Sequence, residues 1–132
     1  MSRDKDRLPH YLEHVLEAIR RIERYTVDMS EQEFMKNEMT QDAVIRNIEI
    51  IGEASHNVEV HYPEFATANP ALPLAFAYQM RNAVAHGYST VDLKIVWTTI
   101  RNDLPGLYQK VQTLLQDLPP VAARPAARRP RA

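Results

Sequence analysis

The sequence has 132 residues, of which 45% are hydrophobic and 25% are charged, and these values fit one globular domain with a single core. The sequence has no cysteine, which excludes disulfide bonds, thiolate metal ligands and thiol nucleophiles. It has neither an apolar run of about 18 residues nor a signal peptide, so we expect a cytoplasmic protein. The net charge is −1, but residues 119–132 contain four arginines and no acidic residue, so residues 1–118 carry a net charge of −5. A negative body argues against a generic nucleic-acid-binding surface, so any RNA contact is expected at a local site or through the tail.

The first half of the chain predicts three helices. The first has Pro9 in its first turn, ends near Tyr25 and carries apolar residues at the spacing of one helical face: Leu12, Val15, Leu16, Ile19 and Ile22. A capping-box pattern at Ser30–Glu33 predicts a short helix that ends near Asn37. Thr40 is the predicted N-cap of a long helix, whose inward face consists of Val44, Ile45, Ile48, Ile51, Ser55 and Val58.

A proline-rich connection and a further helix come next. The segment from His61 to Pro73 contains three prolines and is expected to be a loop. A helix is then expected from near Pro73 to near His86. Gly87 is well placed to adopt the left-handed conformation that closes this helix.

The last part of the chain predicts two helices and a tail. Ser89 or Thr90 is expected to cap the first of these helices, whose inward residues are Val91, Ile95, Ile100 and Leu104. Pro105 lies inside that pattern and is expected to break or kink it, before a last helix over residues 106–118. The sequence therefore predicts an all-α bundle of four to five helices over residues 1–118, followed by a disordered basic Pro/Ala/Arg tail over residues 119–132.

The segment Arg81–Tyr88 combines side chains that suit cleavage of RNA without a metal ion. Attack by an RNA 2′-hydroxyl needs one group to take its proton and another to protonate the leaving oxygen, and His86 can do either near neutral pH. Arg81 can pair with the phosphorane oxygens, and Asn82 can orient His86. Tyr88 can stack on a base or bond a phosphate. The competing interpretation is a C-terminal cap with a surface ion pair.

Helical geometry leaves the completion of this site open. In a continuous helix, Arg81 and His86 are separated by about 140° around the axis. Asn82 and His86, four residues apart, share a face. Either the helix ends at His86 and the ring turns away, or a second chain completes the site. Two copies across a two-fold axis would supply an acid, a base and two arginines.

Polar residues on the long helix have two competing interpretations. Asp42, Arg46, Asn47 and Glu53 either line the cleft beside Arg81 or form ion pairs that hold the helices in register.

Metal-binding patterns are incomplete. His10 and His14 lie four residues apart, but no third ligand has suitable spacing. Glu53 and His56 supply only one of the Glu-x-x-His pairs that a di-metal bundle needs. We therefore expect no metal site and no cofactor.

The sequence resembles a known family at Arg81-Asn82 followed by His86-Gly87-Tyr88, which is the Arg-x4-His-x-Tyr signature of HepT-like toxins in the HEPN superfamily. Residues 30–34, 40–54, 91–97 and 102–105 also look like that family, so the resemblance spans about residues 8–116. Residues 55–78 look less like it, which leaves the rim of the site less defined than its centre.

The resemblance implies a dimeric HEPN-like helical bundle that acts as a metal-independent ribonuclease toxin. Arg81 and His86 match the catalytic pair, with Asn82 beside them. Tyr88 matches the tyrosine to which the antitoxin, a minimal nucleotidyltransferase, adds AMP. This chain lacks the Gly-Ser and paired-aspartate pattern of such an enzyme, so the antitoxin is expected to be a separate protein. The alternative is a non-catalytic HEPN-type module that binds a nucleotide or a partner protein.

Overall fold

The computed structural model describes residues 2–86 and 92–118, and the regular structure in these ranges is entirely helical. The elements in chain order are α1 (Ser2–Thr26), α2 (Glu31–Met35), α3 (Glu38–His61), α4 (Pro63–Ala68), α5 (Leu74–His86), α6 (Leu93–Thr98), a π-helical segment (Thr99–Asp103) and α7 (Leu104–Asp117). The predicted all-α fold is confirmed, with four long helical units because α6, the π segment and α7 are continuous. Within the described ranges, no helix is long and apolar enough to span a membrane.

α3 is the central helix of the described bundle, since it packs against both α1 and α5, while α7 packs against α1. The predicted apolar face of α1 is buried: Leu12, Val15, Leu16, Ile19 and Ile22. The predicted face of α3 is buried as well, except that Ile45 is only half-buried. Burial of these two faces holds α1, α3 and α5 side by side.

One predicted helix cap is confirmed and another is wrong. Ser30 and Glu33 form the capping box: the Glu33 N–H donates to the Ser30 hydroxyl at 3.1 Å, and the Ser30 N–H donates to the Glu33 carboxylate at 2.8 Å. α3 begins before the predicted point because Asn37, not Thr40, is its N-cap. The Asn37 side-chain oxygen accepts a hydrogen bond from the Thr40 N–H at 3.0 Å, and asparagine is among the strongest capping residues.

Two predictions that rested on prolines are also wrong. Pro9 lies inside α1 instead of its first turn, because the preceding residues are mostly good helix formers and Leu8 is buried in the core. The segment from His61 to Pro73 is not entirely a loop, since α4 begins at Pro63, where the missing N–H has no partner to lose.

The start of α6 differs from the prediction. Its N-cap is Asp92 and not Ser89 or Thr90, and the Asp92 carboxylate accepts two backbone N–H groups of the next turn, at 3.0 and 3.3 Å. Ile95 is 55% exposed and does not face inward as predicted. The buried side of this short helix is set instead by its neighbour Trp97, which packs on Phe34 of α2 with ring centroids 5.2 Å apart.

Pro105 follows a wider helical turn, and of the predicted break or kink the break does not occur, since α6, the π segment and α7 are continuous. The π segment directly precedes α7, and the Leu104 N–H donates to the carbonyl of Thr99, five residues earlier. A widened turn suits this position because proline has no N–H to continue the regular pattern. Gly87, Val91 and residues 119–132 lie outside the described residues, so the predictions made for them stay predictions.

Candidate active site

Arg81 lies where α5 packs most closely against α3. A Cβ at Gly52 would overlap the Cβ of Arg81 and would lie 2.9 Å from the carbonyl oxygen of Ala77, so only glycine fits there without a shift. Further along α3, the His56 ring stacks on Tyr78 with centroids 3.9 Å apart. Because Gly52 meets Arg81 and His56 meets Tyr78, the two helices run antiparallel.

Two side chains hold the guanidinium of Arg81. Its Nη1 donates to Oδ1 of Asn82 at 2.8 Å, and its Nη2 lies 3.6 Å from Oε1 of Glu53 on α3. The Arg81 side chain is 30% exposed and that of Glu53 is 56% exposed, so solvent screens the pair and its contribution to stability is small. The main consequence is geometric, since the two partners restrict where the guanidinium can point.

Arg81 forms part of a polar groove that runs along α3. The groove has a volume of about 560 Å³ and is lined by residues of three helices: Arg7, Tyr11 and His14 of α1, Arg46, Glu49, Ile50, Glu53, Ala54 and Asn57 of α3, and Arg81 of α5. The charged groups that line it are three guanidinium groups and two carboxylates. The groove is therefore locally positive on a body whose net charge over residues 1–118 is negative.

The other predicted cleft residues on α3 occupy three different environments. Arg46 and Glu53 line the groove, and Arg46 lies 3.7 Å from the carboxylate of Glu49. Asp42 is exposed one helical turn before Arg46, beyond the lined part of the groove. Asn47 is 4% exposed; its amide donates to the Ala43 carbonyl at 2.9 Å, and its Oδ1 has no hydrogen-bond partner among the described residues.

α5 is helical through His86, the residue near which the sequence predicted its end. The five residues from Arg81 to His86 advance the helix by about 7.5 Å. Because α5 runs antiparallel to α3, this advance is toward the Arg46 end of the groove. Tyr88 lies outside the described residues.

The described residues contain no group of three His, Asp or Glu side chains that could hold a metal ion. His14 lines the groove, whereas His56 stacks on Tyr78 at the contact between α3 and α5.

The groove includes α1 residues that the sequence did not indicate as functional. Arg7 and Tyr11 contact each other, with the guanidinium carbon 5.7 Å from the ring centroid. Their only signal in the sequence is the Arg-x3-Tyr spacing that puts two side chains on one helical face. Gly52 had a clearer signal, because a glycine inside a helical pattern often marks a close approach of another element.

The ribonuclease HepT-like family matches residues 15–114, which is more than half of the chain and includes α3 and α5. The chain belongs to the HepT-like ribonuclease family. The matched region of this HepT-like protein contains Arg46, Glu53, Arg81 and His86, whereas Arg7 and Tyr11 precede it.

Individual relatives agree with this assignment. A Thermococcus cleftensis protein named "Probable ribonuclease HepT" is 38% identical over 104 residues, which cover 79% of this chain and 92% of that protein. A Caldanaerobacter subterraneus protein named as a proposed RNase is 32% identical over 106 residues, which cover 80% of this chain and 92% of the relative.

A longer relative matches only in part. A Methanocaldococcus jannaschii protein, whose name joins a gamma-glutamylcyclotransferase to a proposed RNase, is 38% identical over 108 residues. The match covers 82% of the HepT-like chain and 47% of that relative, so this chain spans about half of its length. The comparison with solved structures gives no match.

Proposed function

We propose that this HepT-like protein is a metal-independent RNA endonuclease, in which His86 transfers protons and Arg81 stabilises the phosphorane. The observation that carries the proposal is the placement of Arg81 in a positive groove, one and a half helical turns before His86, in a chain of a ribonuclease family. Glu53 and Asn82 restrict the guanidinium before substrate binds, which reduces the ordering that catalysis would otherwise require.

The proposed reaction is internal transesterification. A base removes the proton of the 2′-hydroxyl, the 2′-oxygen forms a bond to phosphorus, and the bond to the 5′-oxygen breaks as an acid protonates that oxygen. The products are a 2′,3′-cyclic phosphate and a 5′-hydroxyl. Negative charge increases on the phosphorane oxygens, and a guanidinium can pair with two of them at once.

The proposed active unit is a homodimer. α5 is helical through His86, so the backbone directions at Arg81 and His86 differ by about 140° around the helix axis. A second copy related by a two-fold axis can place its His86 opposite Arg81 of the first copy. Each of the two composite sites in such a dimer then combines His86 of one copy with Arg81 of the other.

The proposed biological role is that of a toxin whose antitoxin is a separate minimal nucleotidyltransferase. Addition of AMP to Tyr88 would put a bulky anion two residues from His86. The added phosphate can pair with Arg81 and occupy the path of the RNA, so a modified protein would not cleave. Asp42 and Arg46 are proposed to support the site from the adjacent end of α3.

The expected result for the cleavage reaction is that purified wild-type protein cuts single-stranded RNA in EDTA and leaves 2′,3′-cyclic phosphate ends, whereas His86→Ala protein purified in parallel does not. Products are identified by denaturing gels and by mass spectrometry of the ends. Equal cleavage by both preparations would show a contaminant or another site. RNA binding without cleavage by the wild type would favour the alternative, a non-catalytic nucleotide- or partner-binding module.

Co-expression with a cognate minimal nucleotidyltransferase is expected to add AMP to Tyr88 and to abolish RNA cleavage. Intact-mass and peptide mass spectrometry locate the adduct. The matched control is Tyr88→Phe, which lacks the acceptor hydroxyl and is expected to stay unmodified and active in the same cells. An adduct on another residue, or full cleavage by the modified protein, would contradict this regulation.

A further inference from the structure

We propose that Arg7 and Tyr11 of α1 form a subsite for an unpaired nucleotide that flanks the cleaved bond. This inference rests on the proposed function, because the RNA is assumed to react at the Arg81–His86 end of the same groove. It adds a contact that determines affinity for longer substrates. The two residues lie before the region that matches the HepT-like family.

The groove is long enough to hold more than the reacting phosphate. Its lining residues on α3 extend along one stripe from Arg46 to Asn57, and eleven residues of helix span about 16 Å. α5 advances from Arg81 toward the Arg46 end. Tyr11 stacks on His61 at the C-terminal end of α3, with ring centroids 6.3 Å apart, so it lies near the Asn57 end. Arg81 lies level with Glu53, so the reacting part of the groove extends from there toward Arg46, and the proposed subsite adjoins it on the Asn57 side.

Arg7 differs from the other two guanidinium groups of the groove. Arg46 and Arg81 each lie within 4 Å of a glutamate, whereas Arg7 has no such carboxylate among the described residues. Arg7 is exposed and lies over the ring of Tyr11, at a distance typical of cation–π contacts. Its charge is thus available to a phosphate without first breaking an ion pair.

Tyr11 has the properties of a stacking platform. It is half-buried, and its ring is braced by the stacked His61 and by an edge contact with Tyr62, whose centroid is 6.3 Å away. A braced aromatic ring beside an exposed cation is the combination by which proteins bind unpaired nucleotides, since the ring stacks on the base and the cation contacts the backbone. These features favour RNA over a second copy of this chain as the occupant.

The test is equilibrium binding of a short single-stranded 2′-O-methyl oligoribonucleotide, which lacks the attacking hydroxyl and cannot be cleaved, over a series of salt concentrations. Tyr11→Leu is expected to weaken binding roughly ten-fold without changing the salt dependence, because it removes stacking only. Arg7→Gln is expected to weaken binding and also to reduce the slope of log K against log salt by about 0.7, the value for one phosphate contact in single strands.

Matched controls exist on the same helix. The guanidinium of Arg24 lies 5.8 Å from the ring centroid of Tyr25, outside the groove, so Arg24→Gln and Tyr25→Leu should leave binding unchanged. Tyr11→Phe keeps the ring and should therefore lose much less binding than Tyr11→Leu. Because Tyr11 is half-buried, the thermal unfolding of Tyr11→Leu protein must show that it is still folded before weaker binding is assigned to lost stacking. Arg7 is exposed, so Arg7→Gln is not expected to affect folding.

The subsite would be overturned if the Arg24 and Arg7 variants weakened binding equally, or if the wild type did not bind the oligonucleotide at low salt. It would also be overturned if Arg7→Gln protein changed its oligomeric state, because this end of the groove would then be a contact between copies. Failure of the proposed cleavage activity can be distinguished from failure of the subsite. If native RNA is not cleaved but the Arg7 and Tyr11 variants lose binding as expected, the nucleotide site is supported and only the cleavage is lost.

Discussion

An equal mixture of Arg81→Ala and His86→Ala proteins is expected to regain about a quarter of wild-type RNA cleavage, provided that the subunits exchange. Each variant alone should lose about 10²–10⁴-fold in kcat, since Arg81 stabilises developing charge and His86 transfers protons. In a mixed dimer, one composite site combines the intact Arg81 of one copy with the intact His86 of the other. Half of the exchanged dimers are mixed, and each has one intact site of two.

The measurement is initial cleavage rate against mixing ratio, after brief incubation in mild denaturant to exchange subunits. Mixing either variant with the wild type gives the baseline for exchange without complementation. No recovery in the mixture, with exchange verified by differently tagged copies, would mean that Arg81 and His86 act within one chain. That result would select the other solution to the 140° separation, in which the His86 ring turns toward Arg81 beyond the end of α5.

The sequence predicted the parts of the fold that depend on local chemistry. The capping box at Ser30–Glu33 is a short-range pattern whose two hydrogen bonds satisfy helix N–H groups regardless of the surroundings. α5 was predicted from near Pro73 to near His86 and is observed over Leu74–His86. The buried faces of α1 and α3 also followed from spacing alone, because a helix must bury its apolar stripe.

Long-range packing explains where the prediction was wrong. Ile95 was predicted to face inward, but α6 buries Trp97 against Phe34 of α2, and Ile95, two residues earlier on the opposite side of the helix, is 55% exposed. Asn47 was grouped with polar residues outside the apolar face of α3, yet it is buried. Neither position carries a local signal that reports its neighbours.

The sequence indicated the residues of α3 and α5 in the candidate site, but not those that α1 contributes to the groove. Glu53 was predicted either to line the cleft beside Arg81 or to form an ion pair, and the structure places its carboxylate 3.6 Å from the Arg81 guanidinium in one groove. The α1 side of the groove depends on how α1 packs over α3. Arg7 and Tyr11 therefore acquire their position from tertiary contacts, which a helical spacing does not reveal.

Gly52→Ala is expected to lower the free energy of unfolding by about 1–2 kcal/mol and to lower cleavage by up to about 10²-fold, although alanine is the better helix former. The gain in helix propensity is at most about 1 kcal/mol. Overpacking against the backbone of α5 costs about 1–3 kcal/mol, because neither the Cβ of Arg81 nor the carbonyl of Ala77 can move without the helix. Displacing α5 also misplaces the Arg81 guanidinium, and an error of about 1 Å is enough for a large loss of rate.

Urea denaturation and cleavage kinetics of the same preparations measure the two effects, and Gly106→Ala is the matched control. A Cβ at Gly106 meets no atom within 4 Å, so this substitution in α7 should raise the free energy of unfolding by about 0.5 kcal/mol and leave cleavage unchanged. If Gly52→Ala behaves like Gly106→Ala, the close packing of α3 on α5 does not position Arg81. If stability falls while cleavage of the folded fraction is retained, α5 tolerates the shift, and the restraint on Arg81 must come from Glu53 and Asn82 alone.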